Sequence, residues 1–122
     1  MNILVIDGQG GRIGRQLVKE ISERFGGVDL TAVGTNSIAT GSMLKGGAQN
    51  AATGENAVIV AARRADVIIG PIGIVIADAL LGEVTAEMAA AVGRSKATRI
   101  LIPINKCDSV VAGVGERSTA EL

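Results

Sequence analysis

The chain contains no histidine, tyrosine or tryptophan, and Phe25 is its single aromatic residue. With almost no aromatic rings there is little for nucleic-acid bases to stack on, which argues against single-stranded RNA or DNA binding. The missing histidine and tyrosine also remove the commonest general bases. Cys107 is alone, so no internal disulfide can form and a cytoplasmic setting is the simplest expectation. No apolar run approaches the roughly 18 residues of a membrane span. The start of the sequence lacks the basic segment and cleavage site of a secretory leader. Charge of one sign is missing too. Twelve basic and twelve acidic residues cancel, and neither nucleic acid nor an anionic membrane is an expected partner.

What is present is a chain of 122 residues, 48% of them hydrophobic. That excludes disorder and suits one domain spanning residues 1–122, large enough to bury about two-thirds of its unfolded surface. Seventeen glycines in so short a chain suggest close backbone approaches, either to a ligand or between packed elements.

Residues 2–6 (NILVI) are short, continuous and β-branched, the pattern of a buried parallel strand. Residues 11–24 carry helical spacing, with Ile13, Leu17, Val18 and Ile21 on one face, until Gly26 and Gly27 stop the helix. A second strand is expected over 29–33 and a short helix over 38–45. A further helix is expected over Glu55–Arg64 and a third strand over 66–69. Residues 74–81 are ambiguous by periodicity, with Asp78 and the alanines favouring a helix. Thr85 caps a helix to about Arg94, and residues 99–104 (RILIPI) form a fourth strand. A short apolar piece follows at 110–114, and residues 115–122 look frayed. Strands separated by helices imply right-handed crossovers. The expected architecture is therefore a Rossmann-like three-layer α/β domain, with a mostly parallel sheet of four to five strands.

In such sheets ligands bind outside the carboxyl ends of the strands. Each expected strand end carries unusual residues. The first gives Asp7, Gly8, Gln9, Gly10, Gly11, Arg12, Ile13 and Gly14. The second gives Gly34, Thr35, Asn36 and Ser37, the third Gly70, Pro71, Ile72 and Gly73, and the fourth Asn105, Lys106, Cys107 and Asp108. Together they suggest one ligand-binding rim, although turns favour the same residue types for conformational reasons.

The first stretch is the most informative. An apolar strand that breaks into glycines and then a helix presents free N–H groups and the positive end of the helix dipole to a phosphate. Gly8, Gly11 and Gly14 fit G-x-x-G-x-x-G, while Gly8, Gly10 and Gly14 fit only a stretched G-x-G-x-x-G. Asp7 stands where a carboxylate meets a ribose, a metal or a loop N–H, and pinning of the backbone is its simplest use. The acid that normally follows the second strand and takes the ribose hydroxyls is missing. Thr35, Asn36 and Ser37 stand there instead, either to bind a ribose or 2′-phosphate or to cap the next helix. That favours NADP or a mononucleotide over NAD. No metal site is expected.

The stretch GQGGRIGRQLV closely resembles the nucleotide loop of dihydrodipicolinate reductases, over about the first 20 residues. In that family the loop holds the pyrophosphate of NADH or NADPH, and Arg12 and Arg15 match basic positions. The reductase's catalytic domain has no counterpart here. Asn105-Lys106-Cys107-Asp108 resembles the guanine-reading N-K-x-D tetrapeptide of GTPases, but the Gly-Lys-Ser/Thr phosphate loop of that family is missing. Lys106 remains a rim partner for a phosphate or carboxylate. Cys107 is either a nucleophile or a small buried hydrophobe, with no histidine to activate it. The whole chain is similar to a bacterial family catalogued as domain of unknown function 3842, through IDGQGGRIG, VGTNSIAT, ATGENA, IIGPIGI, LLGEVT and LIPINKC. That resemblance implies a coherent domain and no particular activity.

The leading expectation is a sensor or subunit that binds a nucleotide or dinucleotide, NADP-like rather than NAD, through Gly8–Gly14. An enzyme acting on a small phosphorylated or carboxylated metabolite through Lys106, Asp108 or Cys107 is the first alternative. A ligand-free structural or interaction protein is the second. The mean hydropathy of +0.41 on one small domain adds the expectation of a homodimer.

Overall fold

Strand β1 (Asn2–Asp7) is buried at every position after Asn2, because its neighbours cover both faces and both edges. The structure, a computed structural model, describes residues 1–104 and 109–113. Parallel strands β2 (Asp29–Gly34) and β4 (Val67–Pro71) flank β1. Outside them lie β3 (Asn50–Thr53) and β5 (Thr98–Ile102), giving a five-stranded sheet in the order β3-β2-β1-β4-β5. Every pairing is parallel. This is the Rossmann order, whose direction of winding reverses between β1 and β4.

Period-two alternation along β1 divides the core between two layers. Ile3 and Val5 pack with Val18 and Ile21 of α1 (Arg12–Arg24) and Met43 of α2 (Ser37–Gly46). Leu4 and Ile6 pack with Val58 and Ala62 of α3 (Glu55–Arg64) and Met88 and Val92 of α4 (Ala86–Arg94). Each fully buried Val, Ile, Leu or Met contributes on the order of 1.5–3 kcal/mol. The short helices therefore owe their stability to these two faces more than to intrinsic propensity. Among the described residues no helix is long and apolar enough to cross a membrane.

Two elements differ from the expected pattern. Residues 74–81 do not form a helix. A 3₁₀ turn covers Ile72–Val75, and the chain then closes on itself through Asp78 N–H to the Val84 carbonyl at 2.7 Å and Val84 N–H to the Ala79 carbonyl at 3.1 Å. The β-branched run Ile74-Val75-Ile76 disfavours a helix, and the turn buries Ala79, Leu80 and Val84 together. Strand β3 was not expected, since Asn-Ala-Ala-Thr has little β propensity. It exists because its backbone completes the edge of β2, from Thr31 opposite Asn50 to Gly34 opposite Thr53. The fourth expected strand appears as β5, shifted to Thr98–Ile102. Of the apolar piece at 110–114, the described residues form no helix or strand. Residues 115–122 lie outside the described residues.

Candidate functional site

Asp7 closes β1 and organises the loop that follows. Its carboxylate accepts the Gly8 amide at 2.8 Å and the Gly14 amide at 2.7 Å. Its own carbonyl accepts the Thr35 amide at 3.0 Å, which locks the ends of β1 and β2 together. Asp7 thus pins the backbone, the simplest of its expected uses. Only 4% exposed, it has its pKa raised, chiefly by burial and further by the negative charge of Glu83. The amide bonds from Gly14 and Gly8 oppose that rise without cancelling it.

The glycines of the β1–α1 loop play different parts. Gly11 is left-handed (φ 72°), and a Cβ there would lie 2.7 Å from the Ala39 Cα. Gly14 lets α1 pack against Met43, and a Cβ on Gly70 would strike the Ile6 carbonyl. Helix and strand packing therefore explain these three without any ligand. Gly10 is different: a Cβ there would meet no atom within 4 Å. Its amide and that of Arg12 have no partner among the described residues. The first turn of α1 contains no acidic residue and its N-cap Gly11 has no side chain to offer, so the Asp7 carboxylate on the Gly14 amide is the one side-chain cap among the described residues. Arg12 is exposed and forms no ion pair among the described residues.

These groups border a cavity of about 340 Å³ between the ends of β1 and β4. Asp7, Gly8, Gln9, Gly10, Gly11, Arg12 and Ile13 form one wall, and Pro71, Gly73, Leu80 and Ile104 the other. It lies where the winding of the sheet reverses, the position at which open α/β sheets take ligands. Two clefts of about 420 and 440 Å³ border α3 elsewhere, and neither includes a residue of this loop. Gly70 is not among the lining residues, although Pro71 is. Asn105, Lys106, Cys107 and Asp108 lie outside the described residues, and with them the expected fourth part of the rim.

Thr35 and Asn36 come next to the loop, but they are already engaged. The Thr35 hydroxyl donates to Glu83 Oε1 at 2.7 Å, and Asn36 Nδ2 donates to the same oxygen at 2.7 Å. Asn36 Nδ2 also donates to the Gln9 carbonyl at 3.0 Å, while Asn36 Oδ1 caps α2 by accepting the Ala39 amide at 2.8 Å. The Gln9 amide is a third donor to Glu83 Oε1, at 2.8 Å. Burial pushes the Glu83 carboxyl upward, but the bonds from Thr35, Gln9 and Asn36 outweigh it and leave the pKa lowered.

Glu83 is the residue that sequence reading missed. One signal pointed to it: a single acid between the apolar pair Leu80-Leu81 and Val84, on a loop otherwise without polar function. Its turn has left-handed backbone at Asp78, Leu80 and Leu81 (φ 65°, 57° and 57°). Leu80 seals the turn against Gly8, where a Cβ would stand 2.6 Å from Thr35 Oγ1 and 2.8 Å from Leu80 Cδ1. A second group of polar side chains, at the start of α3, holds elements together. Thr53 bonds to Thr40 at 2.7 Å, and Glu55 accepts the hydroxyl of Thr85, the N-cap of α4. Among the described residues no group of three or more potential ligands could hold a metal ion.

Fold and cavity together define a Rossmann-like α/β domain with an open crevice at its switch point. Over residues 2–122 the chain matches the family described as Domain of unknown function (DUF3842), and it belongs to that family. No curated protein and no solved structure matches it. The likeness to dihydrodipicolinate reductases thus rests on the loop residues alone.

Proposed function

We propose that this domain binds a phosphate-bearing nucleotide or dinucleotide across residues 8–14 and acts as a sensor or a subunit. The observation that carries the reading is Gly10. It borders the switch-point cavity with open space above its α-carbon, its own amide and that of Arg12 are unpartnered among the described residues, and Arg12 lines the same cavity. A phosphate at this point would gain amide hydrogen bonds, the positive end of α1 and a cation, and no large side chain would have to move.

Isothermal calorimetry of purified protein against NAD(H), NADP(H), ATP, GTP and flavin nucleotides tests it. The expected result is saturable binding of at least one ligand by the wild type and its loss in Gly10→Val. A flat response to the whole panel would overturn the reading.

A cytoplasmic location agrees with the single cysteine. Self-association as a homodimer is the accompanying proposal, supported by the apolar side chains left at the surface. Ile38 is 72% exposed, and Phe25 and Ile100 are also exposed. Light scattering at micromolar concentration should return about twice the chain mass of 12.3 kDa, whereas the chain mass itself would refute the dimer.

A further inference from the structure

In parallel nucleotide-binding sheets an acid following the second strand takes the ribose hydroxyls, and a basic residue near it accepts a 2′-phosphate instead. Residues 34–37 of this chain, Gly-Thr-Asn-Ser, supply neither. The fold brings a carboxylate to that place from a different connection. Glu83, between β4 and α4, has Oε1 fixed by Thr35, Asn36 and the Gln9 amide, so it sits against the two residues that follow β2. We propose that Glu83 sets the ligand class of this site: a nucleotide with an unmodified ribose diol, to the exclusion of one carrying a 2′-phosphate. This deepens, and rests on, the reading of residues 8–14 as a phosphate site.

Two independent features support the assignment. The first is a count of donors. Thr35 has one hydroxyl hydrogen, and it goes to Glu83. Asn36 has two amide hydrogens, one to Glu83 and the other to the Gln9 carbonyl. Neither side chain has a donor left for a 2′-phosphate. The second is charge. A phosphate monoester carries about −1.5 to −2 at neutral pH and would have to stand beside a carboxylate whose ionised form is held by three hydrogen bonds. Glu83 Oε2 has no hydrogen-bond partner among the described residues, and it is the free acceptor that a ribose hydroxyl needs. The sequence expectation of an NADP-like ligand assumed no acid at this point. With Glu83 in place the preference turns toward the diol.

The test is calorimetry with two matched pairs, NAD⁺ against NADP⁺ and AMP against adenosine 2′,5′-bisphosphate, with inorganic pyrophosphate as a probe of the loop alone. The wild type should bind the diol member of a pair about tenfold or more tightly than its 2′-phosphorylated counterpart. Glu83→Gln keeps an oxygen acceptor for the three donors and removes the charge, so it should narrow that ratio to about threefold or less, chiefly by admitting the 2′-phosphate. A wild-type protein that binds the 2′-phosphorylated ligand as well as the diol overturns the assignment, and so does a ratio unchanged in Glu83→Gln. Because the wild-type ratio needs no variant, a misfolded Glu83→Gln would leave the assignment testable. If pyrophosphate binds but the pairs are not discriminated, only the role of Glu83 falls. If pyrophosphate and all four nucleotides are silent, and GTP and the flavin nucleotides with them, the phosphate-site reading falls as well.

Discussion

The carboxylate of Glu83 accepts the hydroxyl of Thr35 at 2.7 Å across 48 residues of sequence, joining the β4–α4 connection to the end of β2. The same oxygen takes Asn36 and the Gln9 amide, so one side chain ties three βα connections together at the rim of the sheet. A hydrogen bond to a charged group is worth about 1.5–3 kcal/mol, less where water competes. Glu83→Ala should therefore lower stability by about 1–2 kcal/mol, and Thr35→Val by about 1 kcal/mol. In a double-mutant cycle by urea unfolding the two losses should not add, with a coupling of about 0.5–1 kcal/mol. Additive losses would mean that the Thr35 bond contributes nothing in solution.

Gly10 and Gly11 are neighbours with opposite requirements, which separates a ligand effect from a folding effect. Gly11→Ala forces a Cβ into the backbone of Ala39 at a left-handed φ, and should cost about 2–4 kcal/mol. Gly10→Val points into open space and should change stability by no more than about 0.5 kcal/mol while blocking the cavity. Urea midpoints for both variants check this. A Gly10 variant as damaged as Gly11→Ala would show that the loop tolerates no side chain for structural reasons.

Most of the architecture was legible because it follows from local pattern. The apolar strands, the helical spacing of Val18 and Ile21, and the glycine breaks each act over a few residues. Strand β3 was not legible, since Asn50–Thr53 is a strand only by virtue of the β2 edge beside it. The turn after β4 failed for a related reason. Asp78 and the alanines suit a helix, but the β-branched run before them does not, and burial of Leu80 against Gly8 selects the turn. At the site, Asp7, Gly10 and Arg12 were found from the strand–glycine–helix pattern. Glu83 was not, because a contact closed by 48 residues of intervening chain leaves no local periodicity.

The turn at Asp78–Gly82 offers a stabilising substitution. Leu81 is left-handed (φ 57°) and its side chain is 96% exposed, so it pays for the conformation without burying surface. A left-handed residue other than glycine costs roughly 1–2 kcal/mol, and glycine's greater freedom in the unfolded chain returns part of that. Leu81→Gly should raise stability by about 0.5–1 kcal/mol, seen as a higher urea midpoint with an unchanged slope. A loss of stability would reveal that Leu81 is covered in solution, as in a dimer, and the effect would then depend on protein concentration.

The two carboxylates of the rim should tilt the pH dependence of stability in opposite directions. Glu83 has a lowered folded pKa. Its contribution is therefore complete above the unfolded value of about 4.3 and is lost as pH falls through the lowered one. Asp7 has a raised folded pKa, so its contribution is present below the unfolded value of about 3.9 and is lost as pH rises through the raised one. Glu83→Gln should flatten the acid side of the profile. Asp7→Asn should remove the decline on the neutral side. It should also lower stability at all pH values by about 1–3 kcal/mol, because an amide NH₂ would face the Gly8 or Gly14 N–H. Urea midpoints between about pH 3 and pH 7 read both slopes. Profiles that run parallel to the wild type in both variants would show that neither carboxylate is perturbed as its surroundings require.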